Sequence, residues 1–249
     1  ILANDEGGVR TLTLNRPEKL NAFNDAQFDA LAEAILEAGK DNTVKVVVLT
    51  GAGRAFSAGA DLTGRAGANI KYGFPGCVDI ILDFEKPLLV AVNGLGVGIG
   101  ATIVGLADSA FMAEGARLRC PFSALGLTAE ACSTYTFPLL MGRQKASWFL
   151  LAAEWLSAQE CADAGLVAAV LPDEGFLAAV QAKAATLAAL PVSSLRQTKA
   201  LIMAPHREQM RAAAKAENEG LASLRGGPAN VEAVTAFGEK RQPDFSNLS

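Results

Sequence analysis

Two apolar segments, each followed directly by a glycine-bearing loop, constrain the fold of this chain more than any other feature. VKVVVLTG at residues 44–51 is rich in β-branched residues, and PLLVAV occupies residues 87–92. Continuous apolar runs of this kind are typical of strands that are buried on both faces of a parallel sheet. The loops GAGRAFSAGADL and NGLGVGIGA follow these runs. Because ligands bind at the carboxyl ends of such strands, the sequence predicts an α/β fold with a site where the two loops meet.

The hydrophobic pattern divides the chain into an α/β part and a helical part. The alternating segment VRTLTLN and the segment SAFMAE predict further strands. The glycine-rich residues 63–76 are predicted to form a loop or a short helix. Alanine-rich segments with helical periodicity dominate the second half, interrupted by a predicted strand at residues 166–171. We therefore predict a core over residues 1–190 and a C-terminal helical region over residues 191–249.

Composition excludes several classes of function. The net charge of −4 argues against broad binding of nucleic acids or anionic membranes. The four cysteines show no C-x-x-C pair and no zinc spacing, and His206 is the only histidine, so we expect no metal site and no Ser-His-Asp triad. No apolar run reaches the roughly 18 residues that span a bilayer. We therefore expect a cytoplasmic protein that acts outside the membrane.

The glycine-rich loop has two chemical interpretations. Residues 96–101 satisfy G-x-G-x-x-A, the dinucleotide-binding fingerprint, and Glu114 lies at about the right distance to bind a ribose. Alternatively, two adjacent loops can each direct one backbone N–H at the same oxygen, because the first N–H groups of a helix have no intrahelical partner. Such an oxyanion hole stabilises a carbonyl that gathers negative charge. Spacing alone does not decide between these functions and a packing role for the glycines.

Five segments in order along the chain carry a family resemblance: LNRPEKLNAFN, AFSAGADL, KPLLVAVNGLGVGIGATIVGLAD, LSAQECADAGLVAAVLP and AFGEKRQPDF. Together they resemble the enoyl-CoA hydratase/isomerase family, the crotonase superfamily, and leave nicotinamide binding a remote alternative. The resemblance implies a superhelix of ββα turns whose C-terminal helical region packs in trimers or dimers of trimers. It also implies an acyl-CoA thioester as substrate and no separate cofactor, because coenzyme A is part of the substrate.

The resemblance further implies which residues bind the substrate. The backbone N–H groups of Ala60 and Ile99 correspond to the oxyanion donors, and Lys240 to a lysine near the phosphates of coenzyme A. Asp61 has a structural interpretation as well, since short carboxylates favour caps and turns. The predicted substrate-binding residues are Ala58, Ala60, Asp61, Leu62, Gly98, Ile99, Phe122 and Lys240.

The acid–base residue determines which reaction of the family is expected. A hydratase that resembles crotonase holds a water between two glutamates, and the corresponding residues here are Thr102 and Phe122. Neither residue is acidic, so water addition by that route is not expected. Glu130 lies in the otherwise uncharged residues 121–142, where apolar surroundings would raise its pKa toward that of a proton shuttle. A glutamate favoured by the dipole of a helix N-terminus is the structural alternative.

The segment PFSALGLTAEACSTYTFP resembles the Δ3,Δ2-enoyl-CoA isomerase branch, in which the glutamate at position 130 is the single catalytic base. The chain departs from that branch at Ala131, where glycine is usual, and at Thr128 and Ala129. We therefore predict that Glu130 moves a proton from C2 to C4 of a 3-enoyl thioester. The alternatives are an enoyl-CoA hydratase, another acyl-CoA lyase or hydrolase of the superfamily, and a non-catalytic acyl-CoA-binding protein.

Overall fold

The computed structural model describes residues 1–61 and 69–248. These residues form two β-sheets surrounded by helices. The strands are β1 (Leu2–Glu6), β2 (Val9–Leu14), β3 (Val46–Gly51), β4 (Ala55–Ser57), β5 (Leu88–Val92), β6 (Leu95–Val97), β7 (Ser109–Ala113), β8 (Arg117–Arg119), β9 (Trp155–Ser157) and β10 (Ala169–Leu171).

Helices cover the sheets and form most of the second half of the chain. They are α1 (Asp25–Lys40), α2 (Gly73–Asp83), α3 (Ile99–Thr102), α4 (Ser133–Met141), α5 (Arg143–Ala152), α6 (Ala158–Ala164), α7 (Phe176–Ala188), α8 (Val192–Met203), α9 (Arg207–Leu224) and α10 (Pro228–Glu239). Three short 3₁₀ turns lie at Pro17–Lys19, Ile103–Leu106 and Ser123–Leu125.

The larger sheet has six strands in the order β1-β2-β3-β5-β7-β10, all parallel except for the antiparallel pair β1 and β2. Every residue of β3 and β5 is buried. These strands lie inside the sheet with neighbours on both sides, and both contact helix α7 and strand β4. Burial of this kind is the environment that continuous apolar runs require. The two buried strands predicted from the sequence are confirmed.

The smaller sheet has the order β4-β6-β8-β9, in which β4, β6 and β8 are parallel. Each of these three strands follows directly on a strand of the larger sheet: β4 on β3, β6 on β5 and β8 on β7. A helical segment comes next each time, so the chain repeats a ββα unit. The predicted α/β superhelix of ββα turns is therefore confirmed.

Two sequence predictions differ from the structure in detail. The strand predicted at residues 166–171 is confined to β10, and the segment predicted as a loop or short helix at residues 63–76 contains the start of α2. Residues 62–68 of that segment lie outside the described ranges. Within those ranges no single helix has both the length and the hydropathy of a membrane span; the bent pair α7 and α8, at 101°, reaches them only in combination.

The C-terminal helices pack back onto the earlier part of the chain. Helix α9 lies against α2 and α4, and α10 contacts the 3₁₀ turn at Ser123–Leu125. In α8, the Lys199 ammonium donates to an Asp108 carboxylate oxygen at 2.6 Å, and Asp108 in turn accepts from the Leu88 N–H at the start of β5. These contacts place α9 beside the segment that leads into α4, where the candidate site lies.

Candidate active site

The loops after β4 and β6 lie directly against each other. Gly59 has φ +89°, and a Cβ there would lie 2.8 Å from the Val97 carbonyl oxygen. Gly98 has φ +55°, and its Cβ position is 3.8 Å from the Gly59 Cα. A side chain at Gly59 would separate the two loops, and both φ values favour glycine. The glycines therefore allow the close approach that the sequence analysis anticipated.

Each of these loops presents a backbone N–H beside the other. Ile99 is the first residue of α3, so its N–H has no intrahelical acceptor. On either side of Ala60, Phe23 donates to the Gly59 carbonyl at 2.7 Å and accepts from the Asp61 N–H at 2.7 Å. Because Phe23 bonds to the residues before and after Ala60, as in a parallel pair of strands, the Ala60 N–H points away from Phe23. Among the described residues, neither the Ala60 nor the Ile99 N–H donates to a protein acceptor.

A cavity of about 580 Å³ contains Ala60, Ile99 and Glu130 together. Its wall combines aromatic side chains with polar ones from α1, α2 and α9. The remaining described residues that line it are Phe23, Asn24, Asp25, Phe28, Asp61, Ile70, Tyr72, Gly73, Phe74, Pro75, Asn218, Leu221, Ala222 and Arg225. The cavity thus brings the Ala60 and Ile99 loops and the Glu130 carboxylate together in one space of mixed polarity.

The Glu130 carboxylate faces the loop that carries Ile99. Its Oε1 lies 3.7 Å from the Cβ position of Gly98, and no hydrogen bond to this carboxylate is found among the described residues. Burial raises the pKa of Glu130 to about 7, with a smaller contribution from the negative charge of Glu217 and an opposing one from Arg225. A carboxyl with this pKa both accepts and returns a proton near neutral pH.

An unusual backbone conformation follows Glu130. Ala131 and Cys132 have φ values of +56° and +61°, and α4 begins at Ser133. The Ser133 N–H donates to the Glu130 carbonyl at 3.1 Å. Left-handed residues other than glycine cost free energy, so the turn requires support from its surroundings.

Residues 4–247 match the family model described as enoyl-CoA hydratase/isomerase. The chain belongs to the enoyl-CoA hydratase/isomerase family. The structure superimposes on a crystal structure of an enoyl-CoA hydratase/isomerase from Pseudoalteromonas atlantica with a TM-score of 0.92 and 34% identity, covering 98% of this chain and 99% of the other. This is the crotonase superfamily, and the fold described above is that of its solved members.

Curated relatives of the family differ in the reaction that their names give. Enoyl-CoA delta isomerase 2 of Rattus norvegicus is 39% identical over 85% of this chain, and the chain spans 56% of that protein's length. The 2,3-dehydroadipyl-CoA hydratase of Escherichia coli is 32% identical over 95% of this chain and 94% of its own length. The names of these two relatives give different reactions, and the choice of reaction within the family depends on the acid–base groups.

The positions of the two hydratase glutamates are occupied here by buried residues without a charge. Thr102 lies in α3, where its hydroxyl donates to the Gly98 carbonyl at 3.3 Å, and Phe122 is buried. Because residues 102 and 122 are threonine and phenylalanine, they cannot hold a water between two carboxylates.

The other predicted binding residues occupy varied positions. Asp61 accepts from the Arg16 guanidinium at 2.9 Å, which supports a structural role. The N–H of half-buried Ala58 donates to the Leu20 carbonyl at 2.9 Å. The exposed Lys240 follows α10 at φ +56°. Four of the predicted binding residues are not among the described residues that line the cavity, namely Ala58, Gly98, Phe122 and Lys240, and Leu62 lies outside the described ranges.

Sequence reasoning missed the contribution of α9 to this site. Asn218, Leu221 and Arg225 line the cavity. The charge of the buried Glu217 contributes to the raised pKa of Glu130. A signal for Glu217 was present in the pattern, because Met210, Glu217 and Leu221 share the buried face of α9. A charged residue on the apolar face of an amphipathic helix indicates a buried partner.

Proposed function

We propose that this protein isomerises 3-enoyl-CoA thioesters to 2-enoyl-CoA thioesters. The observation that carries the proposal is the carboxylate of Glu130, whose pKa of about 7 suits a proton shuttle, in the same cavity as Ala60 and Ile99. The uncharged residues Thr102 and Phe122 at the places of the hydratase glutamates support the same choice.

In this proposal the thioester carbonyl oxygen accepts hydrogen bonds from the N–H groups of Ala60 and Ile99. When Glu130 removes a proton from C2, the electron pair delocalises onto that oxygen and forms a dienolate. Preorganised donors stabilise such a charge, and each is worth about 3–4 kcal/mol of barrier. Because the donors belong to the backbone, many side chains are compatible with this role.

The protonated Glu130 then returns the proton to C4, and the double bond moves from C3–C4 to C2–C3. The thioester carbonyl re-forms, so the reaction needs no co-reactant and no net change of protons. A carboxylate that has no strong hydrogen-bond partner in the protein keeps its basicity for this transfer. General acid–base catalysis of this kind contributes about 10²–10⁴-fold.

The test is the Glu130→Gln variant with two substrates. Wild-type protein is incubated with a 3-enoyl-CoA and, separately, with a 2-enoyl-CoA, and the thioesters are separated by chromatography. We expect the 3-enoyl substrate to be converted about 10²–10⁴-fold more slowly by the variant. Glu114→Gln is the matched control, because Glu114 is exposed at the end of β7 and does not line the cavity.

Isotopic labelling distinguishes a shuttle from other mechanisms. A 3-enoyl-CoA deuterated at C2 is converted under single-turnover conditions, and deuterium retained at C4 supports transfer by one carboxylate. A second candidate, hydration, is favoured by the hydratase relative at 32% identity. Consumption of 2-enoyl-CoA with formation of a hydroxyacyl-CoA would favour it and contradict the isomerase proposal.

We also propose that the helical region assembles the protein into a trimer or a dimer of trimers. Helices α8 and α10 carry large apolar side chains that are exposed in a single chain, namely Leu201, Ile202 and Phe237. Apolar exposure of this kind is typical of surfaces that are covered in an assembly. Light scattering on the eluting protein measures the mass, and a monomer at all concentrations would contradict this proposal.

A further inference from the structure

Glu217 is a residue of α9 that is buried in the interior, where its side chain contacts the start of α4. It is 4% exposed, and it does not line the cavity. Its Oε2 accepts from the Cys132 N–H at 2.7 Å, and its Oε1 accepts from the Thr134 N–H at 2.8 Å and the Thr134 hydroxyl at 2.6 Å. A glutamate this deeply buried is rare without a specific partner, and here every partner belongs to one segment.

Burial raises the pKa of Glu217, and the three hydrogen bonds that the segment donates oppose this shift because they favour the ionised carboxylate. A negative charge at the first N–H groups of α4 also interacts favourably with the helix dipole. Cys132 is the N-cap of α4, and its side chain makes no capping hydrogen bond. The cap of α4 therefore comes from α9.

The same carboxylate holds the strained turn after Glu130. Ala131 and Cys132 are left-handed, and their conformation sets the direction in which Glu130 leaves the backbone. The bond from the Cys132 N–H to Glu217 fixes the second of these residues. If the bond is lost, relaxation of the turn toward ordinary φ values moves Glu130 relative to Ile99.

We propose that Glu217 is a positioning residue: through its hydrogen bonds to Cys132 and Thr134 it holds Glu130 at the oxyanion loop. This inference rests on the proposed role of Glu130 as the base. Glu217 is buried and does not line the cavity, so in this proposal it acts through the turn and does not touch the substrate.

Several titratable groups surround Glu130, and among them Glu217 raises the pKa of the Glu130 carboxyl. Its negative charge raises the pKa of Glu130, whereas Arg225, at the end of α9, lowers it. Burial, and to a smaller extent the negative charge of Glu130, raises the pKa of the thiol of Cys120, the residue that follows β8. From α1, α2 and the loop after β4, the cavity wall adds Asp25, Tyr72 and Asp61.

Two variants distinguish the effect of the charge of Glu217 from the effect of its side-chain length. Glu217→Gln removes the charge and replaces one acceptor by an NH₂ group, which cannot accept from an N–H. Glu217→Asp keeps the charge and is one methylene too short to reach Cys132 and Thr134 together. Glu208→Gln is the control, because it removes an exposed glutamate from the first turn of the same helix.

The main measurement is the pH profile of kcat/KM for 3-enoyl-CoA, whose acid limb reports the pKa of the base in the free enzyme. We expect Glu217→Gln to move this limb to lower pH and Glu217→Asp to leave it near that of the wild type. Both variants should lower kcat by about 10–100-fold with little change in KM, because a small misplacement of a catalytic group is costly. Glu208→Gln should match the wild type in all three quantities.

Hydrogen exchange of the amides of Cys132 and Thr134 gives a readout that does not depend on activity. Faster exchange in both Glu217 variants, with protection of the β3 amides unchanged, supports the proposal. An unshifted acid limb in Glu217→Gln, or unchanged exchange at both amides, would overturn it. If Glu217→Gln does not fold, Glu217→Asp still tests the positioning through kcat and exchange. The proposed function fails separately, when Glu130→Gln keeps wild-type isomerase activity.

Discussion

Replacing Glu130 by glutamine is expected to stabilise the folded protein above neutral pH. An ordinary glutamate titrates near 4.5, whereas burial, aided by Glu217, raises the pKa of Glu130 to about 7. Each pKa unit corresponds to about 1.4 kcal/mol, so ionised Glu130 destabilises the folded state by about 2–3 kcal/mol after allowance for its remaining solvent contact. Glutamine has nearly the same shape and no charge, and it removes this penalty.

The sign of the pH dependence follows from proton linkage. Below pH 4.5 the carboxyl is neutral in both the folded and the unfolded state, and between 4.5 and about 7 the folded state binds more protons. The free energy of unfolding of the wild type therefore falls across this window relative to that of the variant. Above pH 7 the difference stays constant at its full value.

Urea unfolding of both proteins at a fixed protein concentration measures this difference from pH 4.5 to pH 8.5. We expect the free energy of unfolding of Glu130→Gln, minus that of the wild type, to increase by about 2–3 kcal/mol over the series. Hydrogen bonds of the new amide shift the whole curve without changing its slope. A flat difference would refute the raised pKa of Glu130, and a difference that falls with pH would refute the sign of the reasoning.

Three further substitutions test other parts of the site. Ile99→Pro removes the proposed oxyanion donor at a helix position that accepts proline, and it should lower kcat by about 10²–10³-fold. Ile99→Ala is the control because it keeps the N–H. An equal loss of kcat in both variants would contradict the role of the donor. Arg225→Gln removes a positive charge that lowers the pKa of Glu130, so the acid limb of kcat/KM should move to higher pH, and a shift to lower pH would contradict this. Ala131→Gly relieves the left-handed φ of +56° and should raise the free energy of unfolding in urea by up to about 1 kcal/mol; a clear loss would show that Ala131 is not strained.

The long buried strands were predictable because their composition leaves few alternatives. β3 and β5 are continuous apolar runs with strong β propensity, and only a covered parallel sheet buries such runs on both faces. The strands of the smaller sheet were not predicted. β4, β6, β8 and β9 have three residues each, which is too short for an alternating pattern to be distinguished from a loop.

The start of α4 was anticipated only as one interpretation of Glu130, because the residue that caps this helix lies elsewhere in the chain. Pro138 lies inside the helix, and Cys132 provides no side-chain cap. The acceptor for the Cys132 N–H is Glu217, 85 positions later. The capping residue of α4 could therefore not be found from the residues near the start of the helix. For the same reason, its contact beside Glu130 could not be predicted from the neighbours of Glu130 in the sequence.

Of the candidate site, the part made by the backbone and by Glu130 was predictable, and the part made by α9 was not. Ala60, Ile99 and Glu130 could be named because the glycine loops and the segment around Glu130 resemble those of the family. The residues that tune the carboxylate belong to a helix whose sequence resembles any amphipathic, alanine-rich helix. In such a helix the one unusual feature is Glu217 on the buried face.

The C-terminal helical region therefore contributes to the chemistry that the site supports. Leu221 and Arg225 form part of the cavity wall, Glu217 caps α4, and the two charged residues shift the pKa of Glu130 in opposite directions. The boundary that we predict at residue 190 would separate the loops of the proposed oxyanion donors from the helix that we propose to position the base. If Glu217 positions Glu130 as we propose, a displacement of α9 changes the location of Glu130, and contacts that α9 makes within an assembly would affect the rate of proton transfer without touching the substrate.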